Sequence, residues 1–196
     1  MTKSEKRKKQ IQSITLGAVL TALVIILQFM GAFIRFGVFS VSLVLVPIVI
    51  GAATCGVGVA AWLGFVFGAV VLLSGDAALF MSINIAGTVI TVLAKGIACG
   101  AVAGLAYKAL SKRNSVLGVF VSAIICPIVN TGIFLLGCVV FFLEGITSWG
   151  ADAGYTNVVV YMFLGLAGGN FIFELATNLI LGPAVVTLLK TVEKQP

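Results

Sequence analysis

The chain has 196 residues, of which 61% are hydrophobic and 9% charged, with mean hydropathy +1.23 and net charge +6. A water-soluble domain carries about 25% charged residues, so this composition excludes a globular protein bathed in water, and the length suits one domain. Histidine is absent and the four cysteines (Cys55, Cys99, Cys126, Cys138) lie far apart with no C-x-x-C pair, so no catalytic histidine, metal site or disulfide framework is expected. Residues 1–10 form a basic tail. A hydrocarbon core about 30 Å thick needs about 20 apolar residues per crossing, and six candidate spans follow. The first runs from Ile11 to Phe33 and is long enough to be a retained helix rather than a cleaved signal. The second, Val38 to Gly51, is short and contains Pro47. The third covers Gly56 to Leu73, and Ser74-Gly75-Asp76 breaks the pattern before the fourth, Ile83 to Leu110. The fifth covers Val116 to Leu143 and contains Pro127. Glu144 to Tyr155, with three glycines, reads as an aqueous loop. In 157–190 the glycines Gly165, Gly168 and Gly169 are expected to separate a partly inserted approach from a sixth helix starting near Leu166. The expected fold is an all-α integral membrane protein, a six-transmembrane-helix bundle over 11–190 with a short cytoplasmic tail at 191–196.

The charges agree with that count. Ten of the twelve cations fall in three clusters: Lys3, Lys6, Arg7, Lys8 and Lys9, then Lys108, Lys112 and Arg113, then Lys190 and Lys194. Six crossings put all three on one side, and positive charge marks the cytoplasmic side. Both termini are therefore expected in the cytoplasm of a bacterial cell. Arg35 then lies at the outer face, and Lys95 alone among the cations lies within the membrane. No basic stripe interleaves with aromatic residues, so no nucleic-acid partner is expected.

Small residues recur every four positions: Ala18 and Ala22 on the first helix, Gly56, Ala60, Gly64 and Gly68 on the third, and Gly96, Gly100 and Gly104 on the fourth. Such stripes let helix backbones approach closely in lipid. For the third and fourth helices, packing within the molecule is the favoured use. Polar side chains inside the spans carry the functional signal. Asn84, Thr88, Thr91 and Lys95 share one face of the fourth helix, and Asn170, Glu174 and Asn178 share one face of the sixth. Asn130 and Thr131 follow Pro127, whose ring removes a backbone hydrogen bond and bends the helix. Ionisable groups at that depth are expensive and point to function. A Lys95–Glu174 pair that merely joins two helices is the bland alternative. A polar pocket open to the outer face accounts for all three stripes.

The basic N-terminus, the six-span pattern and Ala18-x-x-x-Ala22 resemble the substrate-binding S component of an energy-coupling factor (ECF) vitamin transporter. So do the runs Leu43-Val-Leu-Val-Pro47-Ile-Val-Ile-Gly51, Pro127-Ile-Val-Asn130-Thr131-Gly132 and Asn170-Phe-Ile-Phe-Glu174-Leu-Ala-Thr-Asn178. The resemblance covers nearly the whole chain. It implies a high-affinity binder of a water-soluble vitamin that joins a transmembrane coupling protein and two ATPase subunits. In that family the alanine motif of the first helix meets the coupling protein, which assigns that role to Ala18 and Ala22. ATP would be hydrolysed by the partners, and this chain has no G-x-x-x-x-G-K-[ST] phosphate loop.

The ligand groups expected from the sequence are Asn84, Thr88, Thr91, Lys95, Asn130, Thr131, Asn170, Glu174 and Asn178, with Arg35 at the mouth. A lysine among asparagines and threonines suits an aliphatic carboxylate with amide and hydroxyl groups, and pantothenate fits. Riboflavin, folate and a pyridoxine-like compound remain open, since fourteen phenylalanines are available to stack a ring. A small ion-coupled transporter would be expected to show inverted repeats, and the two halves do not look alike. A membrane enzyme would need a nucleophile, base or metal set. Neither catalytic residues nor a cofactor are expected here.

Overall fold

The computed structural model describes residues 3–31, 35–36, 39–40 and 43–193, without the side chains of 3, 6, 9, 35–36, 39–40 and 192–193. The chain opens with α1 (Lys3–Gly31), followed by a two-residue antiparallel ladder of β1 (Arg35–Phe36) and β2 (Phe39–Ser40), with Arg35 opposite Ser40. Then come α2 (Leu45–Thr54), α3 (Val57–Leu73), the single turn α4 (Ala78–Met81), α5 (Ile85–Leu110) and α6 (Ser115–Phe141). After α7 (Leu143–Asp152), the chain continues through α8 (Val158–Val160), a π-helical stretch (Tyr161–Gly168) and α9 (Gly169–Glu193).

Among the described residues, four helical segments are long and apolar enough to cross a membrane: Gln10–Gly31, Ile85–Leu110, Ser115–Phe141 and Val158–Thr191. Two shorter apolar helices, α2 and α3, occupy the second and third of the six expected spans. At about 1.5 Å per residue, the 17 residues of α3 reach about 25 Å, whereas the 10 of α2 reach about 15 Å. As described, α2 is too short to cross. Part of its expected span (38 and 41–42) lies outside the described residues. Its role is plain from its surroundings: Leu45, Pro47, Ile48, Val49, Gly51, Ala52 and Ala53 are all buried, and it packs against α1, α3, α5, α6 and α9. A helix apolar on every side belongs at the centre of a bundle. Pro47 sits in its first turn, where a missing N–H costs nothing. The reversal into α3 is made at Gly56, whose φ of +89° only glycine adopts without strain, after both Cys55 and Gly56 donate to the Gly51 carbonyl.

Two more expectations need correction. Residues 144–155 do not form an open loop: Leu143–Asp152 is helical, and Phe142 and Ile146 are fully buried with Trp149 on the same side. Spacings of four and three residues put those three side chains on one face, so a short amphipathic helix lies on the core. The glycines near 165–169 do not break the last helix either. The chain widens into π-helical geometry across Tyr161–Gly168 and continues, as inserted turns often do at functional sites.

Helices α3 and α5 are locked by their glycines. A methyl group added at Gly64 would fall on the Gly96 carbonyl, one at Gly96 on the Gly64 carbonyl, and one at Gly100 on the Ala60 carbonyl. Both small-residue stripes are thus used inside the molecule. Gly96→Leu is expected to destabilise the fold by roughly 1–3 kcal/mol or more through overpacking. Gly58→Leu, at an exposed position with nothing near its Cβ, is expected to leave thermal unfolding in detergent unchanged. Equal unfolding midpoints for the two variants would contradict this packing.

Candidate functional site

Two apolar clusters leave a polar gap between them. One, around Val24, Ile48, Leu63 and Phe67, fills the centre of the bundle. The other, around Phe80, Phe142, Ile146 and Tyr161, joins α4, α7 and the π-helical stretch. Between them lies a cavity of ≈ 580 Å³, counting its open mouth, reached by Thr88, Thr91 and Lys95 of α5 and Asn170 and Glu174 of α9. A smaller recess of ≈ 280 Å³ adjoins it, shares Lys95, Phe134 and Asn170, and adds Asn130 and Thr131 of α6. Seven of the ten residues singled out in the sequence therefore meet around one space.

Local sequence explains how they arrive there. Asn84 is the N-cap of α5, its Oδ1 accepting from the Gly87 N–H at 2.8 Å, the role short amides favour at helix starts. Thr88 donates to the Asn84 carbonyl at 2.8 Å. One turn further, Thr91 is buried with its hydroxyl unpartnered, packed where Gly137 leaves no room for a Cβ. Lys95 follows about 15 Å from the start of the helix, half the depth of a hydrocarbon core. On the facing side, Asn130 Nδ2 donates to Glu174 Oε2 at 3.3 Å and Asn170 Nδ2 to Glu174 Oε1 at 3.0 Å. The carboxylate fixes both amide orientations, because the opposite flip would set a carbonyl against it. The carbonyl oxygens of Asn130 and Asn170 are consequently left buried without a partner.

Among the described residues Lys95 makes no ion pair and no hydrogen bond. Its ammonium instead lies 5.4 Å from the centre of the Phe67 ring and 5.5 Å from that of Phe134. Unpaired donors and acceptors at this depth cost free energy unless something else engages them. The arrangement offers a cation, an unpartnered hydroxyl and two amide carbonyls to one compact polar solute.

Three expected residues stand apart. Asn84 is taken up by capping and does not line either space. Asn178 is buried one turn beyond Glu174, with both side-chain polar atoms unpartnered, and lines neither. Arg35 falls on β1, and its side chain lies outside the described residues. The cavity also recruits residues that sequence reasoning passed over: Gln28, Asp76, and the phenylalanines Phe67, Phe80, Phe134 and Phe142. Gln28, on the buried side of α1, donates to Asp76 Oδ2 at 2.7 Å. It is legible by the rule that found Lys95, a polar group on an apolar helix. Phe80 reaches the cavity from α4 and meets Phe134, Phe142 and Trp149 edge-on, with centroids 5.2–5.5 Å apart. Phe80 of α4 and Phe142, the N-cap of α7, thus wall the space on one side.

On the opposite surface of α1, Ala18 and Ala22 are both exposed, facing away from buried Leu20, Val24 and Gln28. The chain matches the family described as "ECF transporter, substrate-specific component" over residues 12–189. It belongs to that family. This S component is therefore a multi-pass membrane subunit of a transporter, working with a membrane and ATPase module that supplies the energy. S components of this family bind a small substrate. No curated protein and no solved structure matches the chain.

Proposed function

We propose that this S component is the high-affinity binding subunit of an importer for a water-soluble vitamin bearing a carboxylate, with Lys95 as the seat of that group. The single observation that carries the reading is the mid-membrane ammonium without an ionic partner, lining a cavity beside unpartnered Thr91 and Asn170 oxygens. A carboxylate would take a charge-assisted hydrogen bond from Lys95. Hydroxyl or amide donors of the same ligand would satisfy Thr91, Asn130 and Asn170. Pantothenate, with one carboxylate, one amide and two hydroxyls, meets that set. The phenylalanine wall favours a second reading, in which the carboxylate belongs to a ring compound such as folate or a pyridoxine-like acid.

Six crossings with both termini in the cytoplasm of the cell remain the proposed topology, supported by the three basic clusters. Ligand would then enter from the outer face beneath α4 and α7, with Glu174 holding Asn130 and Asn170 in place. Release inward would require the coupling protein and its two ATPases, docked on Ala18 and Ala22. The test is to purify the chain and identify its co-purified small molecule by mass spectrometry. A stoichiometric carboxylate that stays bound, without accumulating, in liposomes lacking ATPases is the expected result. Accumulation driven by an ion gradient would replace this reading with a secondary transporter.

A further inference from the structure

Lys95, Glu174 and Asp76 line one cavity, yet among the described residues the ammonium makes no direct ion pair with either carboxylate. Lys95 and Glu174 each have a separate set of uncharged partners. The two oxygens of Glu174 are taken by the amides of Asn130 and Asn170 at 3.3 and 3.0 Å. The Lys95 ammonium is placed against two ring faces, Phe67 of α3 at 5.4 Å and Phe134 of α6 at 5.5 Å. Phe67 is buried, and Phe134 is braced by Phe80, whose ring stands at 85° to it with centroids 5.5 Å apart.

The chemistry of the two solutions differs in one respect. A ring face is electron-rich and attracts an ammonium within about 6 Å, most strongly where water is excluded. It carries no net charge. A ring therefore stabilises the cation without taking the place of an ion-pair partner, whereas a carboxylate in direct contact would cancel its charge. Any anionic ligand would then have to displace that carboxylate first. Two rings hold the lysine without creating such a competitor.

We propose that Phe67 and Phe134 are specificity-determining residues: they hold the Lys95 ammonium without a direct ion pair to Glu174 or Asp76, the two carboxylates that line the same cavity, so that a small organic anion can pair with it in preference to a neutral compound of the same shape. The inference rests on Lys95 being a ligand group, and adds the device that makes it selective. The two rings also give the ligand's carbon skeleton an apolar wall beside the charge, so the preferred anion carries its carboxylate close to a compact apolar or cyclic group.

The test is calorimetry on the purified full chain with two probe pairs that differ in charge and little else: pantothenate against panthenol, and benzoate against benzamide. The native protein is expected to bind the anion of at least one pair about tenfold or more tightly than its neutral twin, a difference of about 1.4 kcal/mol. Phe67→Leu with Phe134→Leu should erase most of that preference. Phe67→Tyr with Phe134→Tyr, which keeps both ring faces, should preserve it. A purely structural role would make the leucine variant lose affinity for both members of a pair equally. If the double leucine variant does not purify, each single variant gives the same readout. Equal affinities in the native protein, no binding of any probe, undiminished preference in the leucine variants, or its loss in the tyrosine variant would each overturn the proposal. Co-purification with the coupling protein is scored in parallel. Its persistence would leave the transporter reading standing while the selectivity device fails.

Discussion

Lys95→Met is expected to abolish ligand binding, by more than about a hundredfold, in a protein that still inserts and purifies as a single species. The size follows from the depth of the site. Truncating one partner of a buried, hydrogen-bonded charge pair costs about 2–5 kcal/mol, because the other charge is left without compensation. In the proposed site that other charge is the carboxylate of the ligand. Folding is expected to survive because Lys95 holds no other side chain in place. Glu174 keeps its two amides, and methionine packs well between Phe67 and Phe134, since a thioether sits favourably against aromatic rings. The measurement is equilibrium binding of the co-purified compound to native and variant protein. Undiminished binding would remove Lys95 from the site, and a variant that fails to fold would return it to a role in holding α5 against its neighbours.

The cavity was legible where the sequence departs from its own background. In helices made almost wholly of apolar residues, a lysine, a glutamate or an asparagine is expensive, so Lys95, Asn130, Asn170 and Glu174 stand out and their helical spacing shows a common face. The same rule overreached at Asn84. The stripe continued one turn past the start of α5, where an amide is worth more as a cap than as a ligand group. Phe67, Phe80, Phe134 and Phe142 were illegible for the opposite reason: among fourteen phenylalanines in an apolar chain, nothing marks the few that face the cavity. Phe80 and Phe142 are moreover placed by α4 and the start of α7, two short helices. Glycine and acidic residues made 144–155 read as a loop, and only the packed Phe142, Ile146 and Trp149 show why it is helical. Gly165, Gly168 and Gly169 likewise suggested a break, because composition does not distinguish an interrupted helix from one widened to π geometry.

Replacing Ala18 and Ala22 together by tryptophan is expected to leave ligand binding unchanged and to eliminate co-purification of the S component with its coupling protein and ATPases. The two alanines lie one turn apart on the exposed face of α1, while Leu20, Val24 and Gln28 of the same helix are buried in the bundle. Indole rings at 18 and 22 would therefore project outward and leave the cavity untouched. Trp62 already flanks this face from α3, its Nε1 donating to Thr21 Oγ1 at 3.2 Å and its ring 53% exposed. The alanines thus form the shallow floor beside a bulky wall. A partner helix reaches such a floor only while its side chains stay small, because association in lipid is driven by close packing rather than by expulsion of water. Ala18→Gly with Ala22→Gly, which keeps the floor open, should still assemble. Pull-down of tagged variants co-expressed with the complete transporter separates the outcomes. Native levels of the ATPases with the tryptophan variant would mean that the module docks on another face. Loss of both assembly and ligand binding would mean that α1, through the Gln28–Asp76 hydrogen bond, is part of the cavity's support rather than an independent docking surface.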